Sequence, residues 1–326
     1  FEPALSTLDR LPEGVRVLPL AQAIVEEPEL LERTLGTIAT PDAQPFVALN
    51  QGLFVDGTLL VVKKEMEADQ PIHLLYLTDA SGARTAAHPR TLIVAERHSK
   101  VTVLENHVGT GEASYFSNAV TEIDLADGAT VQHVLLQRQS ARAFHVGHVE
   151  ARQGRDSHLV SFSFATGAQL SRTNVYTLLG GEGCGATLNG LYMLDGAQHC
   201  DHQTRIEHAQ PNCYSREVYK GILDGQSHGV FNGKVYVHPV AQKTDGKQTN
   251  NTLLLSDQAQ IDTKPQLEIF ADDVKCTHFY MKSRGLSAET ARKFLTYAFA
   301  ADVLETIEVE AVKDGLEALT LARYTA

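Results

Sequence analysis

The chain has 326 residues, 43% of them hydrophobic, with 28 basic against 40 acidic side chains and a net charge of −12. That balance excludes a phosphate-neutralising surface, so nucleic acid is not an expected partner. The length suits one large β domain or two smaller domains, and the apolar content is enough for a sizeable core. Residues 1–57 are mixed in texture, and Leu20, Ile24, Leu30, Leu31 and Leu35 set a helical pattern over 19–36. The chain opens on Phe1, and this region is expected to be a truncated helical remnant.

From Leu59 onward short alternating runs appear, such as "TLIVAERHSKVTVLENHV", "TEIDLADGATVQHVLL" and "HLVSFSF". In the last, Val160, Phe162 and Phe164 share one face while Ser161 and Ser163 share the other, the period of a strand. Turn residues punctuate the runs at Asp127-Gly128, Gly180 to Gly185, Asp224-Gly225 and Asp245-Gly246. Comparable strand positions recur near Thr121, Val149, Val175, Thr204, Lys234 and Gln266, in steps of 28, 26, 29, 30 and 32 residues. A β-rich period of this size points to a solenoid of stacked rungs, with apolar Val, Ile, Leu and Phe side chains inside. A β-sandwich is the competing architecture.

After Gly285 the texture turns helical. Ser287 suits an N-cap. One stripe is formed by Ala291, Phe294, Leu295 and Ala298, and a second by Tyr297, Ala300, Ala301 and Leu304. A helix that is apolar on two faces needs two partners, the β domain and either a neighbouring helix or another protein. Leu316, Leu319 and Leu321 mark a further short helix.

Four cysteines, Cys184, Cys200, Cys213 and Cys276, do not make a disulfide framework in a chain of this size. With no apolar run near ~20 residues and no leader pattern, the expected compartment is the cytoplasm, with no membrane partner. "HCDHQTRIEH" gathers His199, Cys200, Asp201, His202 and His208, but at no zinc spacing, and strand alternation splits the set. The expected reading is a polar, solvated rung face, and histidines such as His145 and His148 are likewise expected to be hydrogen-bonded surface groups. "LLGGEGCGATLNG" lacks a phosphate-loop pattern, so its glycines serve bends. Asp272 and Asp273 offer the acid and base of a β-helix carbohydrate-active enzyme, an alternative function, although adjacent strand residues point to opposite faces. Cys276 and His278, two apart, share a strand face, and a thiolate with an imidazole suits iron. A free thiol is more often an inert buried group.

Taken together, "QPIHLLYLT" (70–78), "DHQTRIEHAQPNCYSREVYKGILDG" (201–225), "GVFNGKVYVHPVAQKTDGKQTNNTLLLSDQAQIDTKPQLEIFADDVKCTH" (229–278) and "FYMKSRGLSAETARKFLTYAFAADV" (279–303) make the chain similar to the SufD family of iron–sulfur cluster assembly scaffolds. SufB paralogues share the "KTD…Q…L" and "KPQLEI" pattern but continue differently where this chain has "DDVKCTH". The resemblance implies a mainly β fold, a right-handed parallel β-helix over 58–278. It lies between an N-terminal mixed and helical region (1–57) and a C-terminal helical, ATPase-binding segment (279–326). It implies a non-catalytic scaffold that pairs with SufB through a β-helix edge and with the SufC ATPase through the C-terminal helices. A homodimer is expected when SufB is absent. An iron–sulfur cluster is implied as a transient guest at the SufB interface, with none tightly bound in isolation. His278 takes the place of the family's site histidine, as an iron or cluster ligand or in sulfur handling, and Cys276 that of the motif cysteine. Arg292, Tyr297 and Phe299 are the expected partner-binding residues, since aromatics and arginine commonly anchor such interfaces. The edge expected to pair with a second chain runs over 252–270. Two departures from the family stand out. The region preceding the β texture is shorter, and the Gly-containing segment that normally follows the site histidine is missing, so His278 abuts Phe279.

Overall fold

The structure, a computed structural model, describes all residues except 43, 81–84, 285–288 and 326, and of the remainder all side chains except those of 280, 282–284, 289–295 and 324–325. Strand β1 (Val15–Pro19) leads into helices α1 (Leu20–Glu26), α2 (Pro28–Thr34) and α3 (Pro45–Leu53). The strands then follow one another: β2 (Gly57–Val62), β3 (Ile72–Asp79), β4 (Thr85–Ala87), β5 (Arg90–Ala95), β6 (Lys100–Thr110), β7 (Tyr115–Leu125), β8 (Thr130–Arg138) and β9 (Phe144–Gln153). Next come β10 (His158–Ala165), β11 (Leu170–Leu179), β12 (Gly185–Leu194), β13 (His199–His208), β14 (Tyr214–Leu223), β15 (His228–Val237), β16 (Thr244–Leu254), β17 (Gln260–Ile269) and β18 (Val274–Arg284). Helices α4 (Glu289–Leu304) and α5 (Glu310–Thr325) follow.

Successive strands alternate between two sheets. One runs β1-β2-β5-β7-β9-β11-β13-β15-β17, with β4 also on β7, and the other β3-β6-β8-β10-β12-β14-β16-β18. Pairing along both stacks is parallel, whereas β1 lies antiparallel on β2. This is a β-solenoid, not a sandwich. The sequence period is its register: Thr121 stands opposite Val149, Val149 opposite Val175, and Val175 opposite Thr204. Thr204 then faces Gly233 rather than Lys234, so that step is one residue shorter than expected, while Lys234 does face Gln266.

Alternation decides what enters the bore. Val160, Phe162 and Phe164 share a strand parity as expected, but Phe162 and Phe164 lie on the outside, packed with Leu191, Ile222, Ala300, Val303, Leu304 and Leu316 beneath α4 and α5. Burying two such rings contributes about 1.5–3 kcal/mol each. The opposite parity puts Leu159 in the central cluster and buries Ser161 and Ser163. The inside is therefore partly polar, contrary to the all-apolar stack expected. His107, His133, His145, His148, His202 and His208 are also buried, not surface groups. His107 Nε2 and His133 Nε2 lie 2.8 and 2.9 Å from Glu105, and Thr121 Oγ1 donates to it from the facing sheet at 2.8 Å.

The two ends differ. At the start, Glu122 on β7 accepts the backbone N–H groups of Gly36, Ile38 and Ala39 at 2.9–3.1 Å and two bonds from Arg90, tying the N-terminal segment onto the sheet. At the far end β17 and β18 each have a neighbour on one side only. The expected free edge over 252–270 is thus shifted. Thr252, Leu253 and Leu254 belong to β16, which pairs with both β14 and β18, so the open edges are β17 and β18.

Candidate functional site at the open end

Strand β18 sets the site. It runs unbroken from Val274 to Arg284, so the change of sequence texture at His278 falls inside a strand. Cys276 stands opposite Gly246 and His278 opposite Gln248 on β16. The structure therefore brings the two candidate residues to one face in one strand. Gly246 has no side chain, and a Cβ there would come 3.3 Å from Cys276 Sγ, so the thiol settles over the backbone of the turn below. Cys276 packs beside Val235, Val237, Ala241 and Ala271, and its burial raises the thiol pKa. His278 is exposed. Around the pair the last two strands, with Phe270 just after β17, present Leu267, Ile269, Phe270, Phe279 and Met281, each 37–58% exposed.

Beneath His278 lies a column that residue motifs do not reveal: Leu188, Glu217 and Gln248 in successive turns. Gln248 Nε2 donates to Glu217 Oε2 at 2.6 Å. Its amide crosses the bore to β15, where a Cβ on Gly233 would lie 1.9 Å from it. Burial pushes the Glu217 carboxyl up to about 7, against the hydrogen bonds of Thr204 and Gln248. The available signal was parity: Glu217 falls in phase with Ser215 and Tyr219, both buried.

The other candidates are placed as follows. The "HCDH" set splits by alternation, but its inner half is not solvated. Cys200 is buried with its thiol pushed up to about 12, and His202 sits between Tyr192 and Tyr219 with its pKa lowered by burial to about 4. On the outside, Asp201 pairs with Arg172 at 2.8 Å. Asp272 and Asp273 are exposed in the loop before β18, where the Asp273 N–H donates to Gln242 Oε1 at 2.8 Å. Two surface clefts are lined by Gly196, Gly225 and Ser256 and by Arg138, Thr166 and Arg323 among others, without a carboxylate in either. Among the described residues no group of three or more His, Cys, Asp or Glu is arranged to hold a metal ion, and no helix is long and apolar enough to cross a membrane.

On the C-terminal helices, Phe299 packs against its own chain's core with Lys220 Nζ 4.8 Å above its ring. Tyr297 is half-buried and donates to Glu317 on α5 at 3.2 Å. The Arg292 side chain lies outside the described residues. Lys220 also donates to the Phe299 carbonyl at 2.8 Å and pairs with Asp302, which clamps α4 onto β14.

Residues 76–299 match the model of the SUF system FeS cluster assembly SufBD core domain, and residues 1–74 that of the SufBD protein N-terminal region. The chain belongs to the SufBD family. It is 34% identical to the iron–sulfur cluster assembly protein SufD of Escherichia coli, over 86% of this chain and 69% of that protein. An iron–sulfur cluster assembly SufBD family protein of Synechocystis is 32% identical, over 97% of this chain and 74% of its own length. SufD of Bacillus subtilis is 27% identical, over 93% and 72%. At the open end of the solenoid this chain places Cys276 and His278 on one face of β18.

Proposed function

We propose that this SufBD family member is a non-catalytic scaffold subunit of iron–sulfur cluster assembly, pairing with a SufB paralogue through β17 and β18 and with the SufC ATPase through α4 and α5. The division of labour follows the chain: residues 1–57 close one end, the solenoid continues through β18 to Arg284 rather than stopping at His278, and α4 and α5 form the helical pair. One observation supports the reading above the others. Two unpaired parallel edges, flanked by exposed apolar side chains, adjoin a thiol and an imidazole on one face. Open edges favour strand addition by another chain. Two donors are half of what an iron–sulfur cluster takes, so the cluster is a guest shared with the partner, held here by His278 and assisted by Cys276. A second copy of the chain fits the same edges when the paralogue is absent. The carbohydrate-enzyme alternative is less well supported, since Asp272 and Asp273 line neither of the two clefts described above.

The test is anaerobic co-expression with SufB and SufC, followed by co-purification and assay of iron and sulfide. We expect a three-component complex that carries cluster, with the His278→Ala complex intact but cluster yield largely lost and Cys276→Ala less affected. Full yield from His278→Ala, or complete loss from Cys200→Ala with the fold preserved, would move the site elsewhere.

A further inference from the structure

Two thiols that the open-end site does not use lie one above the other in consecutive turns. Cys184 immediately precedes β12 and Cys213 immediately precedes β14. Gly185 and Tyr214 stand opposite one another in the ladder, and the Tyr214 N–H donates to the Cys184 carbonyl at 3.0 Å. Parallel neighbours lie about 4.8 Å apart, within the roughly 4.4–6.8 Å between Cα atoms that a disulfide spans. The side chains converge as well. Cys184 Sγ lies 2.9 and 3.1 Å from the carbonyl oxygens of Gly154 and Gly181, and Cys213 Sγ lies 3.4 Å from the same Gly181 carbonyl. Both sulfurs thus gather around one carbonyl oxygen.

The two thiols are not equivalent. The hydrogen bond with Cys213 favours the Cys184 thiolate and lowers its pKa, while the same bond and burial raise that of Cys213. Ionising one thiol is assisted by the proton of the other, so one can attack and the other resolve. Neither is solvent-exposed, and Cys184 Sγ lies 3.1 Å from the Gly181 carbonyl, which suits a small oxidant such as hydrogen peroxide. Cys200 and Cys276 are not part of this thiol contact: Cys200 is packed with Tyr192, Leu194 and Leu223, and Cys276 lies in the last strand.

We propose that Cys184 and Cys213 form a two-electron redox site that closes a disulfide between turns on exposure to a hydroperoxide. The Cys184 thiolate attacks one oxygen of hydrogen peroxide. The O–O bond breaks, leaving a sulfenic acid and a hydroxide that takes up a proton and departs as water. The Cys213 sulfur then attacks the Cys184 sulfur, expelling hydroxide, which leaves as a second water with the Cys213 proton. Two thiols and one peroxide become one disulfide and two waters, with two electrons passing from sulfur to oxygen. A small dithiol reverses the reaction, itself becoming the disulfide.

The test treats the whole chain with hydrogen peroxide, alkylates it after denaturation, and digests it with trypsin. The expected product joins peptide 173–205 to peptide 206–216, two hydrogens lighter than their sum. Fragmentation should place the link at Cys184 rather than Cys200, and dithiothreitol should remove it. In Cys213→Ser the Cys184 sulfenic acid should persist long enough for capture by dimedone. Alkylation of Cys184 and Cys213 equal to that in untreated protein, a link through Cys200, or a link only between two chains would overturn the proposal. The wild-type peptide map decides it even where the serine variant fails to fold.

Discussion

Glu105, in the early turns of the bore, and Glu217, in the late ones, are both buried carboxyls, and their surroundings differ in kind. Burial works against the charge on each. At Glu105 the hydrogen bonds of His107 and His133 outweigh it and hold the carboxyl well below the usual range. At Glu217 the neighbours are an amide and a hydroxyl, burial prevails, and the carboxyl is pushed up to about 7. The same contrast holds for the ends of the molecule. The first turns are sealed by the Arg90–Glu122 pair, each side chain at most 1% exposed, while the last turns end in open edges. Compensated charge belongs to the closed end. The open end keeps a carboxyl that switches protonation near neutrality, one turn behind the residue that stands beneath His278.

The most severe way to break the comparison is Glu122→Ala. It leaves Arg90 buried without its carboxylate and frees three backbone donors, so a loss of about 3–5 kcal/mol is expected in denaturant unfolding, with new proteolytic cuts before residue 57. Equal stability to wild type would show that the N-terminal seal carries no energy.

Glu217→Gln sharpens the comparison. A carboxyl whose folded pKa is raised from 4.5 to about 7 contributes stability that is present below the unfolded value and lost as pH rises through the folded one. The wild type should therefore lose on the order of a few kcal/mol relative to Glu217→Gln between about pH 4.5 and 7. His202 and His208, both lowered by burial to about 4, act with the opposite sign, since their contribution is lost as pH falls below the ordinary histidine range. They are common to both proteins and cancel in the difference. A difference that does not change with pH would remove Glu217 from this role.

At the open end effects on stability should be smaller. Phe279→Lys should change stability by less than about 0.5 kcal/mol, yet a charge on the edge should prevent strand addition. Light scattering and co-purification with SufB read this out, and unimpaired pairing would place the interface off β18. His278→Ala should have the smallest effect on the melting temperature of all, because the side chain is exposed.

Much of the architecture was visible in the spacing. Columns such as Thr121, Val149, Val175 and Thr204 appear as a period because a parallel ladder fixes register, while the turns absorb unequal lengths. Alternation paired Cys276 with His278 and split the "HCDH" set for the same reason. Which parity faces inward was not legible. Phe162 and Phe164 would fill a bore as well as a helix seat, and only the presence of α4 and α5 on the outer face decides between them. The buried histidines were missed because a polar residue in a strand normally signals solvent, whereas here polar groups satisfy one another across the bore.

The clamp between α4 and β14 has a mechanical consequence. The helical pair is bolted to the flank of the solenoid through Lys220 with Asp302, Asn189 with Thr306, and Arg323 with Thr166 and Gln198. A force applied to the helices therefore enters the middle turns through β12 and β14 as well as β18, which precedes α4 in the chain. Because each turn is hydrogen-bonded along its length to the next, those turns pass torque to β18 as a stiff shaft does.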